Sequence, residues 1–174
     1  MKFDKVLLET AKLWAEMSSC KRLKVGAVVS KNNRIISTGY NGTTAGSDNC
    51  CEDTFYLCPE CDKSNENKEF FTHTKVNGSY FCPYCGNKVE PEKIKKITKT
   101  NDLTIHAEQN ALIFCAKEGL ATNGCDIFVT HSPCMQCAKL IAQAGIKRVI
   151  YHFDYRDSCG IDFLRGLGIE VKKL

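Results

Sequence analysis

The stretch DIFVTHSPCMQCAKLIAQAGIKRVIYH, residues 126–152, decides the fold class. Asp126 to Thr130 reads as a short, mostly apolar strand, and Arg148 to His152 as another. Between them, Cys134 to Ala144 reads as a helix with Ala138, Leu140, Ile141 and Ala144 turned inward and Gly145 as its stop. A strand, a crossover helix and a second strand close best as a parallel pair.

Working outward, the pattern repeats. Gly160 to Leu167 reads as a short helix and Ile169 to Lys172 as a last strand. Upstream, Ile105 to Lys117 has helical spacing through Ala107, Ala111, Leu112, Phe114 and Cys115, and Gly119 ends it. Val25 to Ser30 and Arg34 to Thr38 read as two strands around the turn Lys31-Asn32-Asn33. The second runs into Gly39-Tyr40-Asn41-Gly42, where two glycines allow a sharp bend and a close approach to a ligand. Residues 4–19 read as an amphipathic helix on Val6, Leu7, Ala11, Leu13, Trp14 and Met17, with Trp14 and Met17 expected in the core. Alternating strands and helices predict an α/β layered domain.

The length of 174 residues suits a single domain, 1–174, with one core. At 43% hydrophobic and 25% charged, the composition is that of a soluble globular chain. The first twenty residues are broken by Lys2, Asp4, Lys5, Glu9, Lys12 and Glu16, so they read as neither a leader nor a membrane span. A net charge of +4 is mild, and the run Lys93, Lys95, Lys96 and Lys99 lacks an interleaved aromatic residue that could stack on bases. No nucleic-acid or membrane partner is therefore expected.

Residues 53–100 lose the apolar periodicity and read as an insertion within the domain. They hold Cys58-Pro59-Glu60-Cys61 and Cys82-Pro83-Tyr84-Cys85, two C-x-x-C knuckles that can aim four thiolates at one structural zinc. Gly86 supplies the permissive backbone such a turn needs, and His73 between the knuckles reads as solvated. Twelve cysteines without a leader favour metal ligation over a disulfide scaffold.

The chemistry concentrates on His106-Ala107-Glu108 and Pro133-Cys134-Met135-Gln136-Cys137. One imidazole and two thiolates can hold a zinc ion with its fourth position open to water, and Glu108 stands ready to move that water's protons. Cys134 and Cys137 share one face at the positive start of a helix, which favours thiolates. The pattern H-x-E…P-C-x-x-C resembles the signature of the zinc deaminases.

With Lys24-Val25-Gly26-Ala27-Val28-Val29, Ser37-Thr38-Gly39-Tyr40-Asn41-Gly42, His106-Ala107-Glu108-Gln109-Asn110-Ala111 and Ser132 to Ile141 followed by Gln143 to Lys147, the chain resembles the deoxycytidylate (dCMP) deaminases, the phage-type enzymes in particular. The resemblance spans nearly everything except roughly residues 53 to 100. It implies a three-layer α/β/α sandwich on a five-stranded mixed sheet, here carrying a zinc-ribbon-like insertion. It implies a cytoplasmic homohexamer (in the host cytoplasm if virus-encoded) that converts dCMP to dUMP for thymidylate synthesis. It implies activation by dCTP and inhibition by dTTP, with Mg²⁺ on the triphosphate. It places substrate on Lys24, Asn41, Ala107, Ser132, Tyr155 and Arg156, and the regulatory nucleotide on Asn41, Gly42, Asn110, Phe114 and Lys117. Some relatives hold a second zinc on two cysteines, a histidine and a glutamate. Cys20 and Cys50 match the cysteines, but Lys96 and Thr104 stand at the other two positions, so the four-cysteine insert is the candidate substitute. Cys20, Cys50 and Cys51 leave a further zinc open, while Cys115, Cys125 and Cys159 read as small packed residues.

Three rivals follow from the same motif. A nucleic-acid editing deaminase, acting on tRNA adenosine or single-strand cytosine, shares the zinc chemistry. A deaminase of dCTP, or of both dCMP and dCTP, differs only in the phosphates it accepts. A zinc-ribbon binding module on a dead core would not need His106, Glu108, Cys134 and Cys137 intact.

Overall fold

The computed structural model describes residues 2–73 and 75–174. The chain divides into two compact units, one made of the residues up to Cys50 with Leu103–Leu174, the other of Cys51–Asp102.

The first unit contains helix α1 (Lys2–Ala15), strands β1 (Gly26–Lys31) and β2 (Arg34–Tyr40), α2 (Ala107–Lys117), β3 (Asp126–His131), α3 (Met135–Gln143), β4 (Arg148–Phe153), α4 (Cys159–Gly166) and β5 (Glu170–Lys173). These five strands form one sheet in the order β5-β4-β3-β1-β2. β1 pairs antiparallel with β2 and β3, whereas β3, β4 and β5 run parallel. The mixed five-stranded α/β architecture expected from the sequence is the one observed. Asn32 and Asn33 both take positive φ, at 51° and 61°, which is the two-residue turn that matches strand twist.

Strand alternation sorts the core onto two faces. Val28, Phe128 and Ile150 meet Leu7, Leu8 and Ala11 of α1 on one face. Ala27, Val29, Ile127, Val129, Val149 and Tyr151 meet α2, α3 and α4 on the other. Helix, sheet and helices therefore form three layers. Two glycines set the interlayer approach. A Cβ on Gly26 would lie 1.9 Å from the Ala11 carbonyl oxygen, and one on Gly39 would lie 2.3 Å from that of Ala107. The close approach expected at Gly39 is thus made to a helix rather than to a ligand.

The inward face of α1 differs from the sequence expectation. Leu7, Leu8, Ala11 and Ala15 are buried together with Asp4, while Met17 is 63% exposed and Trp14 36% exposed, stacked near Tyr40. Phe114 and Leu140, both expected inside, each remain 44% exposed. The helices carry apolar residues on more than one face, and only those aligned with the sheet are covered. Asp4 is tolerated because Arg148 on β4 reaches it at 3.3 Å and Asp126 at 2.8 Å. An ion left without its partner there would be costly, by about 3–5 kcal/mol.

The second unit, which the sequence marks only as an insertion without apolar periodicity, carries strands of its own. Glu52–Leu57 pairs antiparallel with Lys95–Thr100, and Ser64–Asn65 adds to the first of these. The Asn101 amide donates to the Cys51 carbonyl at 2.8 Å, closing the segment at its base. A smaller sheet of Lys75–Val76, Ser79–Phe81 and Lys88–Val89 lies between. Its buried centre is Phe71, Val89 and Ile94 around Cys58 and Cys82.

Candidate active site

Two helix starts converge on the site. His106 is the N-cap of α2 and Cys134 the N-cap of α3, both with extended backbone. The Gln109 side chain accepts the His106 amide at 2.8 Å, which fixes the first turn of α2. Cys137 follows one turn into α3 and is buried. A Cβ on Gly160 would lie 2.1 Å from the Pro133 carbonyl oxygen, so the start of α4 rests directly on the cysteine turn.

His106 Nδ1 lies 3.6 Å from Cys134 Sγ and 3.3 Å from Cys137 Sγ. For a tetrahedral zinc with ordinary Zn–S and Zn–N lengths, the N···S edge is about 3.6 Å. The donor set and its spacing fit zinc, and the cluster contains three donors among the described residues. The electrostatics agree. A hydrogen bond from Cys137, aided by His106, holds the Cys134 thiol down at about 3. Its thiolate and burial push Cys137 up, so the two sulfurs share one proton. With a dication held there, both sulfurs would bind as thiolates and His106 would be neutral, although its hydrogen bond to Cys134 otherwise raises it.

Glu108 occupies the first turn of α2, 4% exposed. Burial raises its carboxyl, and His106, Cys134 and Cys137 are among the groups that face it. A carboxyl raised by burial in this way is suited to take up a proton and hand it on.

Around this centre, Ser132 is buried and its Oγ accepts the Tyr155 amide at 2.7 Å. That bond ties the loop after β3 to the loop after β4. The Arg156 guanidinium sits 5.2 Å from the Tyr155 ring centre, and its charge is felt at His106. Ala107 is fully buried. Asn41 Oδ1 accepts from the Val25 amide at 2.7 Å and its Nδ2 donates to the Leu23 carbonyl at 2.8 Å. Its amide thus clamps the segment bearing Lys24, which pairs with Glu16 at 3.0 Å. Sequence reasoning saw Asn41 only as a ligand contact; its clamping partners are backbone atoms and leave no sequence signature.

Asn110, Phe114 and Lys117 fall on one side of α2, and Asn110 Nδ2 donates to the Tyr40 carbonyl at 3.0 Å, beside Asn41 and Gly42. Away from the site, Cys115 and Cys125 are buried as expected, but Cys159 is exposed at the start of α4. Cys20 and Cys51 are buried and Cys50 is exposed. Lys96 and Thr104 lie on strands of different units. Among the described residues, no helix is long and apolar enough to cross a membrane.

Comparison with known proteins adds a second line. Residues 1–153 match the model for the cytidine and deoxycytidylate deaminase zinc-binding region. The chain is 38% identical to the deoxycytidylate deaminase of Enterobacteria phage T4, over 95% of this chain and 86% of that one. It is 39% identical to the phage T2 counterpart, over 95% and 88%. Among solved structures, dCMP deaminase from cyanophage S-TIM5, in complex with dCMP and dUMP, superposes with a TM-score of 0.71 at 36% identity, covering 99% of this chain and 97% of that one.

Proposed function

The chain belongs to the cytidine and deoxycytidylate deaminase family, and from that premise we propose that it hydrolyses dCMP to dUMP and ammonia. The observation that carries the reading is Glu108, buried against the three-donor cluster of His106, Cys134 and Cys137. The comparisons support a nucleotide substrate, since the S-TIM5 enzyme is complexed with dCMP and dUMP.

His106 Nδ1, Cys134 Sγ and Cys137 Sγ would hold the catalytic zinc. Zinc, when bound, supplies a water acidic enough to be deprotonated at neutral pH and stabilises negative oxygen. Glu108 accepts the water's proton on a carboxylate oxygen and passes it to the pyrimidine ring nitrogen beside the reacting carbon. After water's oxygen bonds to the amine-bearing carbon, Glu108 takes the second proton from that new hydroxyl and delivers it to the departing amine, so ammonia leaves as the C–N bond breaks and the oxygen remains on the carbon as a carbonyl. Burial of Glu108 excludes bulk water from that relay. Ala107 and Ser132 would contact the base through their backbones, and Asn41 the sugar. Arg156, poised over Tyr155, and Lys24 would receive the phosphate, for which a guanidinium fork is suited.

The regulatory reading rests on the shared α2 face. Asn41, Gly42, Asn110, Phe114 and Lys117 would take dCTP or dTTP with Mg²⁺, and the exposed ring of Phe114 offers a surface for a base. A homohexamer would cover the outward apolar residues of the helices.

Turnover of dCMP is the deciding assay, measured beside dCTP and a cytosine oligonucleotide, with and without dCTP and dTTP as effectors. dCMP should be deaminated at least tenfold faster than either competitor. Equal or faster turnover of the oligonucleotide overturns the substrate assignment, and indifference to both effectors overturns the regulatory part alone.

A further inference from the structure

We propose that Cys58, Cys61, Cys82 and Cys85 enclose a second zinc ion, with no position open to solvent chemistry, and that this ion is what folds the segment Cys51–Asp102. The inference does not depend on the deaminase reading. The four Sγ atoms lie within 4.8 Å of one another, and Cys61 and Cys82 approach to 4.0 Å. Thiolates about 2.3 Å from one zinc are separated by about 3.8 Å, so the cage has the size the ion requires.

The two halves of the cage are built alike. In the first knuckle the Cys58 amide donates to the Lys63 carbonyl and the Asp62 amide to the Cys58 carbonyl, both at 3.0 Å. In the second the Cys82 amide donates to Asn87 and the Gly86 amide to Cys82, both at 2.9 Å. The residue after each second cysteine is left-handed, Asp62 at φ 54° and Gly86 at 72°. A non-glycine residue at positive φ is held there only by its surroundings. Each knuckle also turns backbone amides onto its sulfurs: those of Glu60 and Cys61 toward Cys58, of Tyr84 and Cys85 toward Cys82, and of Asn87 toward Cys85. All four cysteines are unpaired, so the geometry does not serve a disulfide.

The need for the ion follows from what else the segment has. Its buried cluster is Cys58, Phe71, Cys82, Val89 and Ile94, and two of these are ligands. Three apolar side chains do not offset the conformational entropy of about fifty residues. Small units of this kind fold on metal binding. Four sulfur donors select zinc or iron among common ions, and zinc needs no redox partner.

The test uses the full-length protein, purified and analysed for metal by mass spectrometry. Cys61→Ser/Cys85→Ser should hold one zinc fewer per chain than the unaltered protein. Cys134→Ser/Cys137→Ser should also lose one while keeping, after cobalt substitution, the strong sulfur-to-cobalt absorption of a four-thiolate site. Unchanged metal content in the Cys61/Cys85 variant, or iron in place of zinc, overturns the proposal. If that variant is insoluble, an organomercurial titration of the unaltered protein should release zinc in at least two kinetic steps, and hydrogen exchange across residues 58–94 should rise with one of them. A single release, or unchanged exchange, overturns it as well. Failure of the Cys134/Cys137 variant to lose metal sinks the deaminase reading alone.

Discussion

The two units of this molecule solve the same problem by different means. The unit built on the five-stranded sheet buries continuous layers of aliphatic side chains on both faces. The segment Cys51–Asp102 buries a small cluster, Phe71, Val89 and Ile94 with Cys58 and Cys82. The first brings three donors together on helix starts already fixed by packing, with a corner of the cluster left to solvent. The second brings four cysteines together with far less apolar packing around them, and under the proposal above they would close on an ion completely. Whether a cysteine cluster performs chemistry depends on what else is holding it in place.

That contrast can be broken most directly at Glu108. Glu108→Gln should lose about 10²–10⁴-fold in turnover while metal content and thermal stability of the sheet unit stay unchanged. Retained activity would place the proton relay on another residue. Next in size, Arg148→Ala removes the guanidinium shared by Asp4 and Asp126 in the sheet unit and should cost about 3–5 kcal/mol in denaturant unfolding. The same experiment should leave hydrogen exchange within residues 58–94 unaltered if the units are separately stabilised. Phe71→Ala reverses the comparison. It removes the largest buried side chain of the small unit, at about 3–5 kcal/mol, and excess zinc should restore most of the lost order there. A smaller effect is expected from Ser132→Ala. Losing the bond to the Tyr155 amide should raise KM for dCMP several-fold, with less change for deoxycytidine, and leave kcat within about threefold; equal effects on both substrates would remove Tyr155 and Arg156 from phosphate binding.

The smallest effect concerns pH. Burial, and then the neighbouring His152, lower the His131 imidazole below its ordinary value. The unfolded chain therefore binds the proton more tightly, and stability declines as pH falls from about 6.5 toward the folded value. His131→Gln should flatten that slope of unfolding midpoint against pH without altering stability at pH 8. An unchanged slope would assign the acid sensitivity elsewhere.

Much of the sheet unit was legible because its signals are local. The apolar runs at Val25 and Asp126, the stops at Gly119 and Gly145, and the motif around His106 and Cys134 each depend on neighbours in sequence. What was missed depends on distant partners. Trp14 and Leu7 look equally suited to a core until the sheet chooses Leu7. Asp4 reads as a surface acid until Arg148 meets it. The strands Glu52–Leu57 and Lys95–Thr100 were hidden because neither has a fully buried residue to set up an alternating apolar pattern, and because the pairing spans the whole insert. That the four cysteines come together was legible, since C-x-x-C pairs at fixed spacing need no hydrophobic pattern to declare them.

The hydrogen bond from the Asn101 amide to the Cys51 carbonyl sets how little the small unit asks of the chain on either side of it. Its entry and exit points are one rung apart on a ladder, so the surrounding chain registers the whole module as little more than a hairpin tip. Residues added or removed between those two points would change the closure cost only with the logarithm of the loop's length.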